Sequence, residues 1–263
     1  MEDNRPGIHA VNRKYSLDIF KAEIAFAPLG SVIRYSADGL PRPIRGILKA
    51  AGITRPARQT IEAQFGFNQA ICNSEGGGYY SGLWQSIRYF SDVESDIRQD
   101  LQFRYSIPAV STDLMRQIQI ENSVCLHVRR TDYVTHNASN SLLGFVGVNY
   151  YRAAIEQLES QTQCNRYFIF SDDLEWCRTE LSFVPNATYV GNEHVGYKDG
   201  GHLQLMSLCT HFIIPNSTFS WWAAWLSTKA EKVVIVPDSW FRDPGMDASG
   251  LYPATWIKVP VNQ

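Results

Sequence analysis

From residue 124 onward, short apolar runs alternate with amphipathic stretches in a regular order. Val124-Cys125-Leu126-His127-Val128 has the length and apolar content of a strand, and Tyr150 to Leu158 repeats its apolar positions at helical spacing. Tyr167 to Phe170 predicts the next strand, and Leu174 to Leu181 the next helix. The order continues with Ala187 to Val190 (strand), Leu203 to Cys209 (helix), Phe212 to Pro215 (strand), Phe219 to Leu226 (helix) and Val233 to Val236 (strand). Repeated βα order predicts a parallel sheet covered by helices on both faces. Such sheets take ligands beyond the carboxyl ends of their strands, so the residues that end each strand are the ones to read for chemistry.

The first half is less regular. Gly30, Gly39, Pro41, Pro43 and Pro56, with a basic amphipathic stretch from Arg42 to Arg58, predict short elements joined by turns. Gly76-Gly77-Gly78 marks a turn, and a helix is predicted over Ser91 to Leu101, with Asp92, Glu94 and Asp96 in its first turns as the helix dipole favours. Residues 107–123 lead into the regular half. The expected division is a domain over 1–115 and a second over 116–263.

Composition narrows the classes. The chain has 263 residues, of which 44% are hydrophobic, enough for packed cores. A net charge of -2 gives no general attraction to nucleic acid or an anionic membrane, so an anionic ligand must be held by a local basic cluster. Five cysteines without a CxxC pair argue against a disulfide framework or a thiolate metal site, and fit a reducing compartment. Without a recognisable leader or a membrane-length apolar run, a soluble, cytoplasmic chain is expected. The sequons at Asn137, Asn186 and Asn216 are then incidental.

Three strand ends carry polar chemistry. His127-Val128-Arg129-Arg130-Thr131-Asp132 presents two arginines, whose planar forks match phosphate oxygens and would stabilise charge building on a diphosphate leaving group. The bland alternative is a strand end closed by an Arg130–Asp132 ion pair, with His127 packed on the sheet. Ser171-Asp172-Asp173 ends the next strand. Adjacent acids lack the Asp-x-Asp spacing of a metal-bound diphosphate site, which leaves hydrogen bonding to a nucleotide or capping of the helix near Leu174. Asn216-Ser217-Thr218-Phe219-Ser220 opens a helix after an apolar strand and offers hydroxyls and free amides to an anion. Equally, Ser217 or Thr218 is the helix cap, with Trp221, Trp222 and Trp225 in the core.

Taken in order, HVRRTDY (127–133), NYYRAAI (149–155), YFIFSDD (167–173), the run 203–226 and VVIVPDSWF (233–241) resemble the α-1,2-fucosyltransferases of glycosyltransferase family 11. Tyr80-Ser81-Gly82-Leu83-Trp84-Gln85-Ser86 with Arg88-Tyr89-Phe90 is similar to the family's upstream segment. The resemblance implies an α/β fold of GT-B type with two Rossmann-like domains, GDP-fucose as donor, a galactose-terminated glycan as acceptor, inversion at the fucose anomeric carbon, and no metal or other cofactor. It implies Arg129 as the main β-phosphate ligand, His127 supporting it, and Asp132 orienting Arg130 or meeting the acceptor. Arg130, Ser171, Asp172, Asp173, His202 and the turn Asn216, Ser217, Thr218, Phe219, Ser220 are the implied nucleotide-binding set.

Two departures stand out. Family members open on a Gly-Gly-Leu-Gly-Asn-Gln segment that has no counterpart here, so the N-terminal domain is expected to be incomplete. A catalytically impaired nucleotide-sugar-binding protein is the alternative function. His202 stands where relatives generally carry an aspartate suited to guanine; a neutral histidine accepts only one such bond, and Asp199 lies three residues earlier.

Overall fold

The computed structural model describes residues 15–35, 42–51, 59–62, 65–164 and 166–261. Contacts divide the chain into a smaller unit, Glu23–Glu94 with Met246–Tyr252, and a larger one built from the chain up to Ala22, Ser95–Gly245 and the chain from Pro253.

In the smaller unit, helices α1 (Leu29–Tyr35) and α2 (Arg42–Ala50) precede strand β1 (Gln59–Ile61), helix α3 (Gln69–Cys72) and strand β2 (Tyr79–Ser81). β1 and β2 pair in parallel. The turn after β2 is held by Glu62, whose Oε2 accepts the amides of Leu83 (2.6 Å) and Trp84 (3.3 Å). Trp84 has a left-handed backbone (φ 51) and meets the rings of Tyr80 and Tyr89 edge-on. The segment that resembled the family upstream block is thus an aromatic turn of this unit.

The larger unit begins its regular part with α4 (Glu94–Asp100) and α5 (Thr112–Ile120). Strand β3 (Ser123–Val128) is followed by α6 (Thr131–Thr135), α7 (Asn137–Leu142) and α8 (Gly147–Gln161), then β4 (Arg166–Ser171), α9 (Leu174–Glu180) and β5 (Ala187–Tyr189). Next come α10 (Gly200–Ser207), β6 (His211–Ile213), α11 (Thr218–Leu226), β7 (Val234–Pro237) and β8 (Ile257–Val259). All six strands are parallel, in the order β5-β4-β3-β6-β7-β8. The chain therefore fills one side of β3 first and then returns to the other, which puts the topological switch point between β3 and β6. The expected α/β class with parallel sheets is what the structure has.

Pleat alternation sorts the sheet's residues between its two faces. Val124, Leu126, Val128, Tyr167 and Ile169 pack with Tyr150, Tyr151, Ala154 and Leu158 of α8, all buried. Cys125, His127, Phe168, Phe170 and Phe212 alternate with them and are also buried, with Phe170 meeting His202 of α10 and His127 meeting Ser220 and Phe219 of α11. Each fully buried aliphatic or aromatic side chain contributes about 1.5–3 kcal/mol.

Two expectations are corrected. The division at 115/116 moves to Glu94/Ser95, because Leu114 and Ile118 of α5 are buried and Ser123 Oγ donates to the Ile118 carbonyl. Residues near Phe20 also join the larger unit: Phe20 bridges to Phe103, and Arg104 Nε donates to the Phe20 carbonyl. The helix predicted over Ser91 to Leu101 is a 3-10 turn (Ser91–Val93) running into α4. Strand β8 was not predicted; only three residues long, with Lys258 exposed, it lacks an apolar run. The stretch 52–58 lies outside the described residues.

Candidate active site

Arg129 and Arg130 leave the end of β3 in different directions. Arg129 Nε is 2.8 Å from Asp132 Oδ1, and its Nη1 is 3.4 Å from Asp172 Oδ2. Burial opposes the charged guanidinium, but the hydrogen bond to Asp132 and the field of Asp172 outweigh it and raise its pKa. Two nitrogens are thus engaged, which leaves the Nη2 edge as the side of the fork available to a ligand. Arg130 Nη1 instead reaches Asp173 Oδ2 at 2.6 Å, and its guanidinium lies 5.4 Å from the centre of the Trp176 ring. The expected Arg130–Asp132 pairing is therefore corrected. Asp132 sits in the first turn of α6 and is the partner of Arg129, three residues back and just ahead of the N-cap.

Asp173 also caps α9, its Oδ1 accepting the Trp176 amide at 3.1 Å, while Ser171 Oγ accepts the Asp173 amide at 2.9 Å. The capping alternative holds for Asp173. Asp172 turns back onto the chain after β3. Ser171, Asp172 and Asp173 thus spend these bonds on the chain's own turns and arginines.

His127 is buried, and its Nδ1 is 2.9 Å from Ser220 Oγ. Burial, followed by the charge of Arg129 and the proximity of His202, lowers its pKa to about 3. The ring is neutral at pH 7, and the positive charge of the site belongs to arginine. Because the unfolded histidine titrates near 6.5, the unfolded chain binds the extra proton between that pH and about 3. His127 therefore costs stability as pH falls through that window and nothing above it. His127→Asn, which keeps a polar atom for Ser220, should shift the urea midpoint less between pH 7.5 and pH 5 than the wild type; equal shifts would sink the argument.

His202 stands in the first turn of α10, with its ring against Phe170. Its Nε2 donates to the Gly191 carbonyl at 2.9 Å, and burial lowers its pKa, so the neutral ring keeps one lone pair, on Nδ1. Gly201 beside it has no room for a side chain, since a Cβ would meet the His194 carbonyl oxygen at 2.5 Å. Asp199, the suggested substitute, has a left-handed backbone (φ 64) and an exposed side chain.

The turn after β6 divides its labour. Asn216, 2% exposed, donates from Nδ2 to the carbonyls of Leu143 (2.8 Å), Gly144 (3.3 Å) and Trp240 (3.1 Å). Its amide group is a clasp for two loops, and its sequon is closed to modification in the fold. Ser217 takes the N-cap position of α11 without a capping bond from its side chain. The first amide of α11 to find a helical acceptor is Trp221, bonded to the Ser217 carbonyl. The amides of Thr218, Phe219 and Ser220 face no acceptor among the described residues, which leaves an electropositive helix start. Trp221 and Trp225 are buried and stack on each other, with Trp256 against Trp221.

Three buried tyrosines, to none of which the sequence analysis gives a polar role, tie this face together. Tyr151 donates to the His127 carbonyl (3.1 Å), Tyr150 to that of Ile214 (2.6 Å) and Tyr133 to that of Asn216 (2.7 Å). Tyr150→Phe should lower the unfolding free energy by about 1–2 kcal/mol in urea, the cost of leaving a buried carbonyl unpaired.

A family model, glycosyl transferase family 11, matches residues 66–260. The chain belongs to glycosyltransferase family 11. Among curated relatives, an alpha-1,2-colitosyltransferase of Escherichia coli is 30% identical over 189 residues, 70% of this chain and 63% of that protein. Bovine galactoside alpha-(1,2)-fucosyltransferase 2 is 24% identical over 185 residues, 66% of this chain and 53% of its own. The chain thus spans less than two thirds of the length of the family 11 relatives it matches here. Among solved structures, the fucosyltransferase NodZ from Bradyrhizobium aligns with a TM-score of 0.39 at 16% identity, over 57% of this chain and 52% of that one. For this family 11 chain, no helix among the described residues is long and apolar enough to cross a membrane.

Proposed function

We propose that this family 11 glycosyltransferase moves fucose from GDP-fucose to the 2-hydroxyl of a terminal galactose, with inversion and without a metal ion. The observation that carries the reading is the Arg129 fork. Two carboxylates hold it at the end of β3, across the switch point from the unbonded amides that open α11. A guanidinium and a helix N-terminus converging there suit a diphosphate, and both grow in value as the sugar–phosphate bond breaks and negative charge collects on the leaving GDP. The acceptor oxygen forms the new bond to the anomeric carbon, GDP departs with the electron pair, and the hydroxyl proton is released as the bond forms. No side chain is assigned as its base. His127, neutral and fixed by Ser220, supports the geometry of the site without adding charge.

A second donor, a colitose nucleotide, is favoured by one observation: a relative named for colitosyl transfer shares 30% identity over 70% of this chain. The test is a side-by-side assay of GDP-fucose and GDP-colitose with a β-galactoside, following GDP release and assigning the product linkage by NMR. An α-1,2-fucosylated product supports the main reading. Preference for colitose replaces it with the second, and nucleotide binding without turnover replaces both with a binding protein.

A further inference from the structure

Asp172 directly follows the end of β4, the strand next to the one that carries the arginine pair, and it grips main chain. Its Oδ1 accepts the amide of Arg130 at 2.9 Å, its Oδ2 accepts the amide of Thr131 at 3.1 Å, and its own carbonyl accepts the Thr131 hydroxyl at 3.2 Å. Arg130 is the N-cap residue of α6 and its side chain makes no capping bond, so the Asp172 carboxylate, from the turn after β4, does the work of a cap. The same Oδ2 faces Arg129 Nη1 at 3.4 Å, while Asp132 holds Nε at 2.8 Å. A carboxylate on Nε alone fixes one edge of a guanidinium. A second carboxylate, anchored to two backbone amides and so unable to follow the arginine, fixes the plane.

We propose that Asp172 is a positioning residue that sets the plane of Arg129 and turns its Nη2 edge toward the β-phosphate of the donor. The inference rests on the diphosphate reading of the site. In Asp172→Asn the side chain keeps one acceptor and sets an NH2 donor against either a backbone amide or the guanidinium, so both the turn and the fork lose their alignment. Losing the alignment of one hydrogen bond between charged groups costs about 10–100-fold in affinity.

The experiment is calorimetric titration of wild type and Asp172→Asn with GDP and with GMP, which lacks the β-phosphate. The wild type should prefer GDP, and the variant should lose about 10–100-fold in GDP affinity while GMP affinity stays within about twofold. An unchanged preference for GDP in the variant overturns the positioning role and leaves the diphosphate reading standing. Failure of the wild type to bind GDP removes both. If Asp172→Asn does not fold, Asp172→Glu, which keeps the charge but displaces it, is put to the same comparison. A double-mutant cycle with Arg129→Gln separates positioning from a structural effect: Asp172→Asn should change the GDP/GMP ratio no further once Arg129 is gone, and additive losses would overturn the proposal.

Discussion

Arg129→Ala is expected to lower kcat for glycosyl transfer by about 10²–10³-fold, the scale seen when one preorganised group facing developing charge is removed. The guanidinium is half-buried among carboxylates that cannot replace it. Deleting it leaves Asp132 and Asp172 facing the bound diphosphate without their cation, so the field at the leaving group changes sign as well as strength. GDP affinity should fall with turnover. Arg129→Lys should recover little, because a single ammonium cannot meet Asp132 and Asp172 and still present an edge to phosphate. The measurement is initial-rate kinetics with GDP-fucose beside GDP titration, and a variant retaining near wild-type kcat would remove Arg129 from the mechanism.

The largest effect on stability is expected at Asn216. Its Nδ2 serves three carbonyls from two loops, and its Oδ1 is buried without a hydrogen-bond partner among the described residues. Asn216→Ala orphans the carbonyls but also removes that unpaired oxygen, so the loss should be about 2–3 kcal/mol. Asn216→Asp is close in shape and should be worse, by about 3–5 kcal/mol at neutral pH, because a buried carboxylate would face three carbonyl oxygens with no donor. Such a group has its folded-state pKa raised, so the penalty is present at neutral pH and lessens as pH falls and the acid becomes a donor. Urea unfolding at pH 7.5 and pH 5 should show Asp below Ala at the higher pH and the gap narrowing at the lower. An Asp variant as stable as the Ala variant at pH 7.5 would mean that the clasp does not carry this energy.

Much of the larger unit was legible because its strands are buried on both faces and read as continuous apolar runs, broken where each helix begins. Arg129 was legible for a related reason: a pair of arginines directly after such a run has to emerge where parallel sheets bind ligands. Asp172 was legible as a polar strand end but not as a backbone clamp, because its partners lie 41 and 42 residues earlier in the chain. Asn216 was read for what its turn offers a ligand, whereas its amide is consumed by loops at 143–144 and 240. Tyr133, Tyr150 and Tyr151 gave no polar signal, since a tyrosine on an apolar helical face looks like core until its hydroxyl finds a carbonyl.

By itself the sequence determined the class of fold, the alternation of strand and helix from residue 124, the resemblance to family 11, and the strand end on which the arginine pair sits. Those features depend on local periodicity and on residue types in a fixed order, which a chain carries whether folded or not. Only the tertiary structure decided that β6 lies beside β3, so that the Asn216 turn and the open start of α11 follow the strand next to the one that ends at Arg129, with Ser220 bonded to His127. It alone decided which carboxylate holds which arginine. Strand order and ion-pair choice follow from how the two sides of the sheet are filled and which side chains then come within bonding reach, and no spacing along the chain encodes that.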